Sequence, residues 1–210
     1  MTLFKGLALA AAVSLGSIAA SPAFAANLIT NGSFETGGLN DWTLGGAPYA
    51  IYGTNVYVIS GSSYGYSAES GSDFALLGPV GGDGYLSQSF ADVAGRTYTL
   101  SYWVASDGGE PNDFGSTIYS TADGSTVEQP SGYLASTDGA YDHYVYTFVG
   151  TGDDTLTFNF RDDPGYLALD NVSVTGVPEP AAWAFLLLGV GAIGAALRGR
   201  RQTRGSLAAI

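Results

Sequence analysis

The sequence predicts an all-β fold, an antiparallel β-sandwich held between two hydrophobic ends, and three observations carry that prediction. Between residues 26 and 176 short runs alternate apolar and polar residues with period two, and no helical period competes with them. Clusters of Gly, Asp, Ser and Pro separate the runs, supplying the backbone conformations that tight connections need. The chain also holds 31 glycines and 14 tyrosines, a composition that favours turns and aromatic strands over helices.

The clearest run is Thr97 to Ala105, followed by His143 to Val149, Thr155 to Arg161 and Leu167 to Thr175. Asp73 to Leu77 and Tyr85 to Phe90 are shorter candidates. Turn signals fall at Asp107-Gly108-Gly109, Asp123-Gly124, Thr151-Gly152-Asp153 and Asp162-Asp163-Pro164-Gly165, and residues 60–72 read as a long surface loop. Successive strand residues point to opposite faces, so Leu100, Tyr102 and Val104 belong on one side of their strand. Leu156, Phe158 and Phe160 do the same on theirs, as do Tyr144, Tyr146 and Phe148. These are the expected core. The other sides carry Thr99, Ser101 and Trp103, then Thr157, Asn159 and Arg161, and His143. A tryptophan on an otherwise polar strand face is the informative oddity.

The two ends have different jobs. Residues 1–25 read as a removable signal peptide: Lys5 is the positive start, Leu7 to Ala20 the apolar stretch, and Ala23-Phe24-Ala25 the small-x-small site of signal peptidase. Residues 26–176 form the β domain. The remaining segment, 177–204, begins Val177-Pro178-Glu179-Pro180, continues as the uncharged run 181–197, and ends in Arg198, Arg200, Arg201 and Arg204. As a helix that run would rise ~25 Å, within reach of a ~30 Å hydrocarbon core. The arginines behind it orient the segment with its basic end in the cytoplasm and the β domain outside.

Charge excludes one class of partner. Residues 26–177 hold eighteen Asp and Glu against Arg96 and Arg161 alone, so phosphate backbones are repelled and nucleic-acid binding is not expected. There is no cysteine, hence no disulfide, thiolate metal site or cysteine nucleophile. Gly61-Ser62-Ser63-Tyr64-Gly65 matches the nucleophile-elbow pattern but sits in Gly/Ser-rich loop with no helix to follow. His143 is the single histidine and reads as a surface strand residue. The loop acids Asp107, Glu110 and Asp113, with Asn112, read as solvated, and most of the remaining acids fall in turns where Asp caps and solvates. No enzyme is expected. A glycoside hydrolase, which needs two facing carboxylates, ranks a distant third among the functions.

Two resemblances add to this reading. The Pro178-Glu179-Pro180 triplet, apolar span and arginine cluster resemble the PEP-CTERM sorting signal of Gram-negative bacteria that make extracellular polysaccharide. It implies recognition by an exosortase, a membrane peptidase, and transfer from the inner membrane to the cell surface or a biofilm matrix. The opening Asn27-Leu28-Ile29-Thr30-Asn31-Gly32-Ser33-Phe34-Glu35 with Trp42 resembles the start of carbohydrate-binding-module-like, galactose-binding-like jelly rolls. Gly95 to Trp103 and the closing Leu169-Asp170-Asn171-Val172-Ser173-Val174 fit in order. That resemblance implies a jelly roll and a structural Ca²⁺ joining Glu35 to Asp170, which otherwise read as solvated edge carboxylates. It also implies extracellular polysaccharide as the partner, for which the polar strand faces offer a platform of Trp103 with Ser101, Thr99, Asn159, Arg161 and His143, rimmed by Tyr64 and Tyr66. The alternative is a structural or adhesive surface protein with no small ligand.

Overall fold

The computed structural model describes residues 26–46, 55–120, 123–128, 132–178 and 187–194. The expected signal peptide lies outside the described residues, as do Glu179, Pro180 and the arginines from Arg198 onward.

In chain order the strands are β1 (Thr43–Gly46), β2 (Val56–Ser60), β3 (Ser62–Ser63), β4 (Tyr66–Ser67), β5 (Asp73–Leu77) and β6 (Gly84–Ala91). They continue as β7 (Thr97–Ser106), β8 (Asn112–Ser120), β9 (Thr126–Glu128), β10 (Asp142–Val149), β11 (Asp153–Asp162) and β12 (Leu167–Gly176). One sheet has the order β1-β6-β11-β8-β9 and the second β10-β7-β12-β5-β2, with antiparallel pairing throughout. Face to face they make the expected jelly-roll sandwich.

The period-two assignments produce this core. Leu156, Phe158 and Phe160 from β11 meet Leu100, Tyr102 and Val104 from β7, all essentially buried. Burying each such side chain contributes about 1.5–3 kcal/mol relative to leaving it in water. Phe158 packs edge-on to Tyr102 at 5.0 Å and lies 5.6 Å from Phe114 of β8. Gly84 of β6 lies so near the Phe160 ring that a Cβ would sit 2.6 Å from it, so only glycine fits. Tyr144 and Tyr146 are half-buried, because β10 is an edge strand with a partner on one side only.

The opening motif works as a seam. Leu28 N–H donates to Val174 O, Val172 N–H to Gly32 O, and Asn27 Oδ1 accepts from Ile29 and Val174. Gln88 of β6 clasps Thr30, accepting its N–H at 2.8 Å and donating to its carbonyl at 3.0 Å. Phe34 is fully buried and stacks on Trp42, whose indole N–H donates to Asn31 O. The first and last segments of the domain are thereby joined without a disulfide.

Several expectations need correction. Residues 60–72 are not an open loop: β3 and β4 form a hairpin laid on the outside of the second sheet, where Tyr66 packs with Phe74, Leu76, Ala105 and Ala168. Tyr66 is therefore only 3% exposed and cannot be a rim residue. β8 has no strong sequence signature because Ser116 and Ser120 occupy inward positions beside Phe114 and Ile118. Asp154, Asp162 and Asp170 are buried rather than solvated, since each falls on an inward or sealed position of a strand. Residues 187–194 are helical within the expected span 181–197, but no helix among the described residues is long and apolar enough to cross a membrane.

Candidate functional site

The two sheets turn two separate outer faces to solvent, and the expected platform divides between them. On the second sheet, β7 and β10 pair in the register Trp103 to His143, Val145 to Ser101 and Thr147 to Thr99. The Trp103 and His143 rings stack at 4.1 Å and 7° between planes. Ser101 Oγ lies 2.7 Å from His143 Nε2 and fixes the imidazole over the indole. Four of the six expected residues thus sit together on a shelf, Thr99, Ser101 and Trp103 half-buried and His143 exposed. One face of the indole is already taken by the imidazole.

Asn159 and Arg161 do not join them. They lie on β11, on the outer face of the first sheet, across the thickness of the sandwich. Period two tells which side of its own strand a residue occupies, but not to which sheet the strand belongs. Asn159 stands opposite Tyr85 of β6 and Gly115 of β8. Tyr85 in turn stands opposite Gly45 of β1, and its ring leans over Gly46, where an added Cβ would lie 2.8 Å from it. The adjacent cross-strand row is Thr43, Ser87, Thr157 and Thr117. Tyr85 is 41% exposed and Tyr119 46%, and among the described residues the Asn159 amide has no hydrogen-bond partner. Arg161 donates through Nε and Nη2 to Asp163 at the edge of this face. This hydroxyl-rich face with two open tyrosines was missed because tyrosine is common throughout the chain. The signal was present, since Leu86, Gln88 and Phe90 point inward and force Tyr85 outward.

Glu35 and Asp170 grip one segment from two sides. Glu35 Oε1 accepts the N–H groups of Ser72 and Asp73 at 2.7 and 2.8 Å. These bonds hold its carboxyl below the usual range, Asp73 contributing most and Ser72 next. Asp170 Oδ2 accepts from Glu69 and Ser70, and Oδ1 from Asn171. Its burial nevertheless pushes its pKa up to about 6. Five N–H donors point at Glu35 Oε1 and the two Asp170 oxygens, and Glu35 Oε2 accepts none of them. The tie between the opening motif and the closing strand is hydrogen-bonded.

The third feature is a hollow of about 330 Å³ at one end of the sandwich, lined by Tyr64, Tyr66, Asp107, Gly109, Pro164, Gly165 and Tyr166. Tyr64 is exposed and stacks on Tyr166 at 4.4 Å, and Tyr66 donates its hydroxyl to Tyr166 O at 2.7 Å.

Comparison with known proteins agrees with this geometry. The PEP-CTERM protein-sorting motif matches residues 176–201, which implies exosortase processing and a surface or extracellular destination. No curated protein matches the chain. Among solved structures, TmCBM61 in complex with β-1,4-galactotriose is 18% identical, with TM-score 0.57, covering 72% of this chain and 99% of that one. The CBM22-1 xylan-binding domain of Paenibacillus barcinonensis Xyn10C is 16% identical, with TM-score 0.52, covering 74% and 97%. The K1 cleaved adhesin domain of Lys-gingipain from Porphyromonas gingivalis W83 is 19% identical, with TM-score 0.53, covering 70% and 96%. The Carbohydrate binding domain model matches residues 26–164, most of the β-sandwich, and the chain belongs to that family.

Proposed function

We propose that this protein is an exported, exosortase-sorted surface protein that binds extracellular polysaccharide on the outer face of its first sheet, without catalysis. The observation that carries the reading is Tyr85: an exposed ring on an open sheet face, with glycine on one side and on the other Asn159, whose amide has no hydrogen-bond partner among the described residues. A pyranose can lay its CH face on such a ring, while Asn159, Thr157 and Arg161 exchange hydrogen bonds with its hydroxyls. The family, and the galactotriose and xylan named for two of its structural neighbours, support a β-linked polysaccharide as the ligand class. The reading without catalysis is supported by the carbohydrate-binding family and by neighbours that are named as binding modules or domains.

A second reading uses the Trp103 shelf, favoured by the His143 stack and the Ser101 contact that hold both rings in one plane direction. There a sugar would meet the edge or the uncovered face of the indole.

For the tail, we infer that signal peptidase cuts after Ala25 and that residues 181–197 hold the chain in the inner membrane. Arg198, Arg200 and Arg201 then remain cytoplasmic, until an exosortase acts at Pro178-Glu179-Pro180. A glycan array probed with protein purified from exporting cells, beside its Tyr85→Ala and Trp103→Ala variants, tests the binding and tells the two faces apart. Equal binding by both variants would refute both placements.

A further inference from the structure

One exposed tyrosine is held in a backbone conformation that its size disfavours. The β3–β4 hairpin pairs Ser62 with Ser67 and Ser63 with Tyr66, which leaves Tyr64-Gly65 as its two turn residues. Both have positive φ, 51° and 86°. Such turns select Asn-Gly, because a bulky side chain there crowds its own backbone. Tyr64 accepts that strain without joining the core, being 67% exposed, and strain of this kind gathers at functional sites. Its ring instead meets Tyr166 at 4.4 Å beside the hollow, with the buried Tyr66 as a further wall. The acid of the hollow is Asp107, set between two glycines. Its Oδ1 accepts the Gly109 N–H at 2.7 Å, and its Oδ2 faces Gly165, where an added Cβ would collide with it. Neither arginine of the β domain answers this charge, since Arg161 is paired with Asp163 and Arg96 lies over the Tyr98 ring. Burial first, then the charges of Asp107 and Asp162, push the Tyr66 hydroxyl pKa up, as a negative potential in the hollow requires.

We propose that this hollow is a subsite for the ammonium group of an amino sugar, so that the polysaccharide partner carries free amines. Tyrosine rings beside a carboxylate suit an organic cation: the ring faces attract positive charge, and the acid supplies the counter-charge. The apolar edge of the sugar lies against Tyr64 and Tyr166, and its ammonium donates to Asp107 Oδ2. N-acetylation removes the charge and leaves one N–H of three, so the hollow discriminates between the free and the acetylated sugar. The choice of a sugar as the carrier rests on the polysaccharide reading, whereas the site is separate from the Tyr85 face and is tested separately.

The test titrates protein purified from exporting cells with a glucosamine trisaccharide and with its fully N-acetylated counterpart. The solution is held at about pH 6, where the amines are charged, and about 0.15 M salt, where loose attraction to an acidic surface is screened. Wild type should bind the free-amine trimer about tenfold tighter than the acetylated one. Asp107→Asn keeps an acceptor for the Gly109 N–H and should abolish that preference. Glu128→Gln, an equal charge change on the edge strand β9, should leave it intact. Tyr64→Asn suits the turn and should weaken binding about fivefold or more without lowering Tm. The proposal is overturned by equal affinity for the two trimers, or by a loss in Glu128→Gln as large as that in Asp107→Asn. It is overturned equally by a Tyr64→Asn protein that binds as wild type does, or by a lysine tripeptide that binds as tightly as the sugar. Binding of the free-amine trimer without binding of neutral polysaccharides would refute the Tyr85 face and sustain this site, and the converse result would refute this site alone.

Discussion

Replacing Tyr85 by alanine removes the ring on which the proposed sugar rests and little else. Tyr85 is 41% exposed, points away from the core and neighbours Gly45, so truncation leaves no cavity. The stability cost should stay near the ~0.5 kcal/mol typical of surface changes. Loss of one aromatic stacking contact on a planar ligand costs about 1–3 kcal/mol, a five- to 150-fold rise in Kd. Trp103→Ala is the internal comparison. Its ring is half-buried and stacked on His143, so its removal should lower stability by about 1–2 kcal/mol, through the lost ring pair and part of its buried area. If the first sheet is the binding face, Trp103→Ala leaves Kd within twofold. Calorimetric unfolding and titration with an array-selected oligosaccharide measure both quantities on the same samples. The reasoning is refuted if Tyr85→Ala binds as wild type does while Trp103→Ala loses affinity without losing stability.

Other perturbations test the rest of the account. Phe158→Ala empties the middle of the ring cluster of Tyr102, Phe114 and Trp42 and should cost about 3–5 kcal/mol in denaturant unfolding. Asp170→Ala strips the acceptor from Glu69, Ser70 and Asn171 and should cost about 1.5–3 kcal/mol by the same assay. A calcium at that tie would appear as an EDTA-sensitive Tm that vanishes in Asp170→Ala. Deleting Pro178 to Pro180 should leave the protein unprocessed in the inner membrane, and changing Arg198, Arg200, Arg201 and Arg204 to Ser should release or misplace it, both read by cell fractionation. Normal surface delivery without the triplet would rule out exosortase recognition.

The strands that carry alternating large apolar residues were legible in the sequence, because period two reports burial directly. β7, β10, β11 and β12 all belong to that set, and so does the inward row Leu100, Tyr102, Val104. β8 was hidden by serines at inward positions, where Ser116 meets the Tyr102 hydroxyl at 3.2 Å instead of packing a hydrocarbon. The shelf of Thr99, Ser101, Trp103 and His143 depended on one strand and its neighbour and could be foreseen. Asn159 and Arg161 depended on sheet membership, a long-range property that no local pattern encodes. Asp162 was read as a turn residue because Asp163-Pro164-Gly165 follows it, although its parity with Phe158 and Phe160 already pointed it inward.

The most direct test of polysaccharide binding is titration of wild-type protein, purified from exporting cells, against β-linked polysaccharides, with Tyr85→Ala run in parallel. The account predicts saturable binding to at least one polysaccharide and a five- to 150-fold loss in the variant, of the size expected for one stacking ring. No binding to any polysaccharide by a folded wild-type protein would contradict it and leave the sandwich as a structural or adhesive unit.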